Sequence, residues 1–208
     1  MTSRSKMAVA FGALALLALG AVAAFYSGQG RAGNSTCSAA AAKTARLKPL
    51  AKGEVAAVQV ASKPEPVPDL AFEGPDGKPM SLSAFRGRTV LVNLWATWCP
   101  PCLLEMPALA TLQKTLGGPD FEVVTINIDT RNLDKPRDWL AKKDIVGLTY
   151  YADPQAKVFQ DLRAAKKVEG MPVSLLVDPE GCELALLQGP AEWASADAMA
   201  LIRAALGR

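Results

Sequence analysis

Histidine is absent from the 208 residues. The commonest metal ligand and the commonest general base near neutral pH are therefore missing. A metal site would have to be built from cysteine and carboxylates, and a proton acceptor from Asp, Glu, Lys, Tyr or water. Runs of five or more Lys or Arg are also absent, and the formal net charge is only +3. Nucleic acid is thus not an expected partner. No internal repeat is visible, and cysteine is confined to four positions, Cys37, Cys99, Cys102 and Cys182. Half of the residues are hydrophobic, enough for a substantial core, and the length suits one domain plus an appendage.

The appendage comes first. Arg4 and Lys6 precede an uncharged stretch from Met7 to Tyr26, long enough to cross a hydrocarbon layer as a helix. Tyr26 suits an interfacial anchor, and the leading positive charges should hold the short N-terminus in the cytoplasm. The expected layout is a cytoplasmic 1–6, a transmembrane signal-anchor at 7–26 and an exported remainder. A cleaved signal peptide, cut after small residues at 21–23, is the alternative, although its apolar core is ordinarily shorter than this one. Export permits disulfides, so an even cysteine count reads as two pairs.

Residues 27–65 are expected to link anchor and domain. They include a short alanine-rich helix from Ser38, and a stiff stretch over 62–69, with Pro64, Pro66 and Pro68, leads into the domain. A domain over 66–208 then alternates strand and helix. "TVLVNLWA" (89–96) and "FEVVTINID" (121–129) are continuous β-branched and aliphatic runs, the mark of strands buried on both faces. A helix is expected from about Cys99 to Leu116, where Gly117 and Gly118 end it. Shorter elements are expected at 134–144, 148–153 and 156–165. A hairpin over 171–178 and 182–189 follows, then a last helix capped by Ser195. The order implies a three-layer α/β/α domain around a mixed sheet.

Cys99 falls where the first buried strand gives way to a helix. Free N–H groups and the positive dipole end at a helix start favour thiolate over thiol. In an exposed turn such a thiolate attacks disulfide sulfur, and Cys102, one turn on, can resolve the mixed disulfide. Pro100 and Pro101 are tolerated in a first turn. They also remove two N–H donors, which points to a reductant or exchanger more than a strong oxidant. A metal clip would need a second ligand pair, and the chain has none. An inert staple across so short a spacing would constrain little chain entropy.

"WATWCPPCLLEMP" (95–107) resembles the active-site segment of the thioredoxin superfamily, and "GMPVSLLVDPEG" (170–181) resembles its cis-proline strand. Together they are similar to the membrane-anchored TlpA-type thiol:disulfide interchange proteins over roughly residues 66–208. That resemblance implies a thioredoxin-like fold, Cys99 as nucleophile, Cys102 as resolving thiol and Pro172 as the cis-proline facing them. It also implies a single-pass protein of the bacterial inner membrane with its soluble domain in the periplasm. Clients would be periplasmic protein disulfides, in maturation of c-type cytochromes or cytochrome oxidase, with electrons from a membrane thiol donor. A monomer with neither cofactor nor metal is expected. Val173 stands where many relatives have threonine, which bears on partner preference.

Glu105 lies three residues after Cys102, on the same side of the helix one turn on. It is the nearest candidate to exchange a proton with Cys102; the alternative is a solvated acid favoured by the dipole. Pro107 should kink the helix. Trp98 is expected as a lid beside the thiols and Trp95 as partly core, and the Met171 backbone is expected to pair with an incoming chain as an added strand. Keeping Cys99 with Cys102 leaves Cys37 for Cys182, a staple from the linker helix to the hairpin; two unpaired thiols, or a bridge to another chain, are the alternatives. Two other functions compete with a thiol–disulfide reductase. A copper chaperone is disfavoured by the missing histidine and the lack of a methionine cluster near Cys99. A peroxiredoxin-type peroxidase is disfavoured because no P-x-x-x-[ST]-x-x-C arrangement precedes Cys99.

Overall fold

The structure, a computed structural model, describes residues 37–208. The expected cytoplasmic segment, the signal-anchor and the start of the linker lie outside the described residues. In chain order these form α1 (Ser38–Leu47), β1 (Gln59–Val60), β2 (Ala71–Glu73), β3 (Pro79–Ser81), β4 (Thr89–Trp95), α2 (Pro100–Leu116) and β5 (Phe121–Asn127). Then come α3 (Lys135–Lys142), β6 (Tyr150–Ala152), α4 (Lys157–Ala164), β7 (Val173–Val177), β8 (Glu183–Gln188) and α5 (Ala196–Leu206). No helix among the described residues is long and apolar enough to cross a membrane.

The strands form one mixed sheet in the order β1-β8-β7-β4-β5-β6-β2-β3. β4, β5 and β6 run parallel, each step bridged by a helix, α2 and then α3, as parallel neighbours require. The remaining pairs are antiparallel.

Side chains alternate across the sheet, and that alternation divides the core in two. On one face, Leu91 and Trp95 of β4 and Phe121 and Val123 of β5 pack with α1, α2 and α5. On the other, Val90, Val92 and Leu94 of β4 and Val124 and Ile126 of β5 pack with Val158 and Leu162 of α4. Phe72, Phe85 and Tyr151 extend that second core as a ring cluster with centroids 5.6–6.4 Å apart. Asn93 sits between Leu91 and Trp95 on the side chains' shared face, so the strand delivers one amide into the α2 side of the core.

Element ends follow local chemistry. Asp76 accepts from the Lys78 N–H, and Gly77 at φ +74° turns β2 into β3. Ser195 Oγ accepts from the Ala198 N–H at the start of α5, and Gly207 at φ +79° ends it. Pro107 lies inside α2, which continues past it to Leu116.

Residues 37–65, expected as linker, pack into the domain, and the compact unit runs from Cys37 to Arg208. Ala40, Thr44 and Leu47 form a buried stripe on α1, and Val55 and Val58 are buried behind it. β1 pairs with β8, and a Cys37–Cys182 disulfide fastens the start of α1 to the β7–β8 turn. Lys43 adds an ion pair to the buried Asp178.

Candidate active site

Parallel β4 and β5 end side by side, Trp95 opposite Asn127, and the chain leaves β4 into a tight turn before α2. The Cys99 N–H donates to the Ala96 carbonyl, and the Cys99 carbonyl accepts from Leu103 N–H, the first bond of the helix. Cys99 is thus the extended residue at the mouth of α2 and Pro100 opens the first turn, which carries no acid. Nothing in that turn opposes the positive end of the helix dipole. Cys99 and Cys102 are disulfide-bonded. The sequence suggested an exposed turn; Cys99 is only 4% exposed and Cys102 fully buried. The cause is packing: both sulfurs join the core cluster of Trp95, Met106 and partly buried Met171.

Glu105 is buried, on the core side of α2. Its Oε1 accepts from Asn93 Nδ2 at 2.7 Å, and its Oε2 accepts from the Ala191 N–H at 3.2 Å. Burial raises its pKa to about 7, against the smaller opposing pull of Asn93 and Ala191. The Trp193 indole adds a weak stabilisation of the charge while its N–H meets no partner in hydrogen-bonding geometry. The solvated-acid alternative is therefore excluded. Asn93 Nδ2 donates a second bond, to Ser174 Oγ at 2.9 Å, across the β4–β7 pair that sets Asn93 opposite Ser174.

Asp129, just past β5, braces the turn before the dithiol. One oxygen accepts from the Thr97 N–H and from Asn127 Nδ2, the other from Thr97 Oγ1, each at 2.8 Å. This carboxylate was not singled out in the sequence, nor were Asn93 and Ser174. One signal existed for Asn93. It is the only amide in the run "TVLVNLWA", and a polar group inside a strand buried on both faces must find a partner.

The Met171–Pro172 peptide bond is cis. The β4–β7 register pairs Leu94 with Val173, so one step further Pro172 lies level with Trp95, where β4 enters the cysteine turn. Trp95 is fully buried, its ring 5.9 Å from that of Trp139. Trp98, expected as a packed lid, is instead 60% exposed. The bridge fastening Cys37 to Cys182 lies away from this turn, between the start of α1 and the far end of β7.

Comparison with known proteins agrees with this geometry. The curated relatives include the thiol-disulfide oxidoreductase ResA of Bacillus subtilis, 28% identical over 122 residues, covering 59% of this chain and 65% of that one. The thioredoxin-like protein YneN of the same organism is 32% identical over 114 residues, covering 55% and 64%. The chain thus spans a little under two thirds of the length of these relatives. Among solved structures, a thiol:disulfide interchange protein of the thioredoxin family from Chlorobium tepidum is 27% identical with a TM-score of 0.58, covering 71% of this chain and 99% of that one. A second Chlorobium tepidum protein, assigned to the DsbE thiol:disulfide interchange proteins, is 31% identical with a TM-score of 0.55, covering 68% and 94%. The Redoxin family model matches residues 62–202. With a thioredoxin-like mixed sheet and a cysteine pair at the mouth of α2, the chain belongs to the Redoxin family.

Proposed function

We propose that the protein is a membrane-anchored periplasmic thiol–disulfide oxidoreductase acting on protein disulfides. The observation that carries this reading is the Cys99–Cys102 pair at the acid-free start of α2. The names of ResA and of the interchange proteins support it. In the reduced state, the Cys99 thiolate attacks one sulfur of a client disulfide and the client's other sulfur leaves as a thiolate. Cys102 gives its proton to the Glu105 carboxylate and attacks Cys99 Sγ. The client's second thiol departs, and Cys99–Cys102 is the product. Two electrons pass to the client, and a membrane dithiol donor returns the pair to its starting state. Pro172 and the Met171 backbone form the ledge on which the client chain lies. The family resemblance directs the client class to proteins of c-type cytochrome or cytochrome oxidase maturation.

Cys102→Ser in the full chain is expected to accumulate mixed disulfides with exported proteins, visible on non-reducing gels and lost in Cys99→Ser/Cys102→Ser. An empty gel from cells in which the variant is reduced and folded would remove Cys102 from the resolving step. Identification of the captured proteins by mass spectrometry tests the client class.

A further inference from the structure

α2 is apolar nearly all round over its first part, residues 100–110, where the one polar residue is the buried Glu105. Its inner side holds Cys102, Met106, Leu109 and Leu112 in the core, yet its outer side carries Pro100, Leu103, Leu104 and Pro107. A helix of that kind is ordinarily covered on every side. Here the outer stripe faces an open groove of about 520 Å³, closed on the far side by Trp139, Lys143 and Ile145 of and just past α3. Leu104, the most exposed large hydrophobic side chain among the described residues, lines this groove. Trp98 lies just before α2 in the sequence, Leu133 and Val146 lie either side of α3, and no other large hydrophobic side chain is exposed among the described residues. An open groove with an apolar lining and an exposed leucine on its wall fits a binding surface.

What fills the groove follows from its position. Pro100 is both a wall of the groove and the residue after Cys99. A polypeptide whose disulfide meets Cys99 therefore has its flanking residues at the groove's edge. Lys143 is the single charged group in the lining, and the acids Asp134, Asp138 and Asp144 of the α3 region do not line it. We infer that the groove between α2 and α3 holds the client segment beside the reacting disulfide, selecting a bulky apolar side chain next to a carboxylate that pairs with Lys143. This specificity site rests on the oxidoreductase reading above and is separate from the Met171–Pro172 ledge.

Two disulfide-bridged peptides, identical except for Leu-Glu or Ser-Lys beside one cysteine, test it against the full-length reduced protein, with 2-hydroxyethyl disulfide as a small neutral reference. The Leu-Glu peptide is expected to be reduced with a kcat/KM roughly tenfold or more above that of the Ser-Lys peptide, the scale of a lost interface anchor. Lys143→Glu should reverse the charge part of that preference. Leu104→Asp, at a side chain 80% exposed and so harmless to folding, should erase the apolar part. Both variants should reduce the small disulfide at the unchanged rate. Equal rates for the two peptides, with the small disulfide still reduced, overturn the groove and leave the oxidoreductase reading standing. No reduction of any of the three sinks both. A dimer that Leu104→Asp splits into monomers would assign the groove to a second copy of the chain and overturn the proposal.

Discussion

Glu105 is the residue on which the proposed proton transfer and stability pull in opposite directions. Its folded pKa is about 7, raised from the ordinary 4.5 by burial. Between those values the unfolded chain releases a proton that the native state keeps. The native state binds more protons there, so stability is full below about 4.5, falls as pH rises, and levels off above about 7. The shift corresponds to a loss on the order of 3 kcal/mol. No charged group contributes to it; Asn93, Ala191 and Trp193 face the carboxyl, and all lower the pKa. Glu105→Gln is expected to be the more stable protein at pH 8 and equal to the parent at pH 4.5, measured as the difference in denaturation free energy. Its disulfide-reduction rate should fall above neutral pH, where the parent carboxylate accepts a proton. A stability difference that stays flat across this range would show that the acid is not titrating in the core. The sequence placed Glu105 beside Cys102 by helical spacing alone. Its burial was not legible, because that depends on Asn93, twelve residues earlier, and on the Ala191 N–H, eighty-six residues later.

At the level of elements, the cysteine turn is held from β5 rather than from its own helix. Asp129 bonds both the N–H and the hydroxyl of Thr97, and so fixes how β4 enters α2. Removing it strands the buried Asn127 amide and the part-buried Thr97 donors, a buried donor costing about 1–3 kcal/mol. Asp129→Ala should lower stability by an amount of this order and reduce the disulfide-reduction rate roughly tenfold. Thr97→Val should do less, and the double variant should fall short of the sum by about 0.5–3 kcal/mol, the coupling of groups in direct contact. Strict additivity would mean that the two do not act as one brace. Although β1 fell in the expected linker, the strands and helices of residues 66–208 were readable from period and composition, each within a few residues of its observed span. The docking of α1 was not. Its buried Ala40, Thr44 and Leu47 recur at helical spacing, but a stripe of one alanine, one threonine and one leucine resembles the polar face of any alanine-rich linker. What holds it is partnership with α5, β8 and the Cys37–Cys182 bridge, none of it local in sequence.

Over the whole molecule the two disulfides do different work although both are buried. Cys99 and Cys102 are 3 positions apart and Cys37 and Cys182 are 145 apart. Opening the first frees almost no chain entropy and leaves the Cys99 sulfur at the positive end of the α2 dipole. Opening the second releases the tie between α1 and the sheet; the loop-entropy model sets its worth at no more than roughly 5 kcal/mol. Reduction by graded dithiothreitol is therefore expected in two steps, followed by alkylation and mass mapping of the labelled cysteines. The first step should label Cys99 and Cys102 and leave the melting temperature within a few degrees. The second should label Cys37 and Cys182 and lower it by about 10 °C, since 1 kcal/mol shifts a domain of this size by about 2–4 °C. The bond proposed to do chemistry is thus expected to be the one whose loss the fold barely registers, since the sheet, α2 and the Asp129 brace hold the turn independently of it. Labelling of Cys37 and Cys182 ahead of the other pair would place the labile bond at α1 and remove the reason for assigning exchange to Cys99.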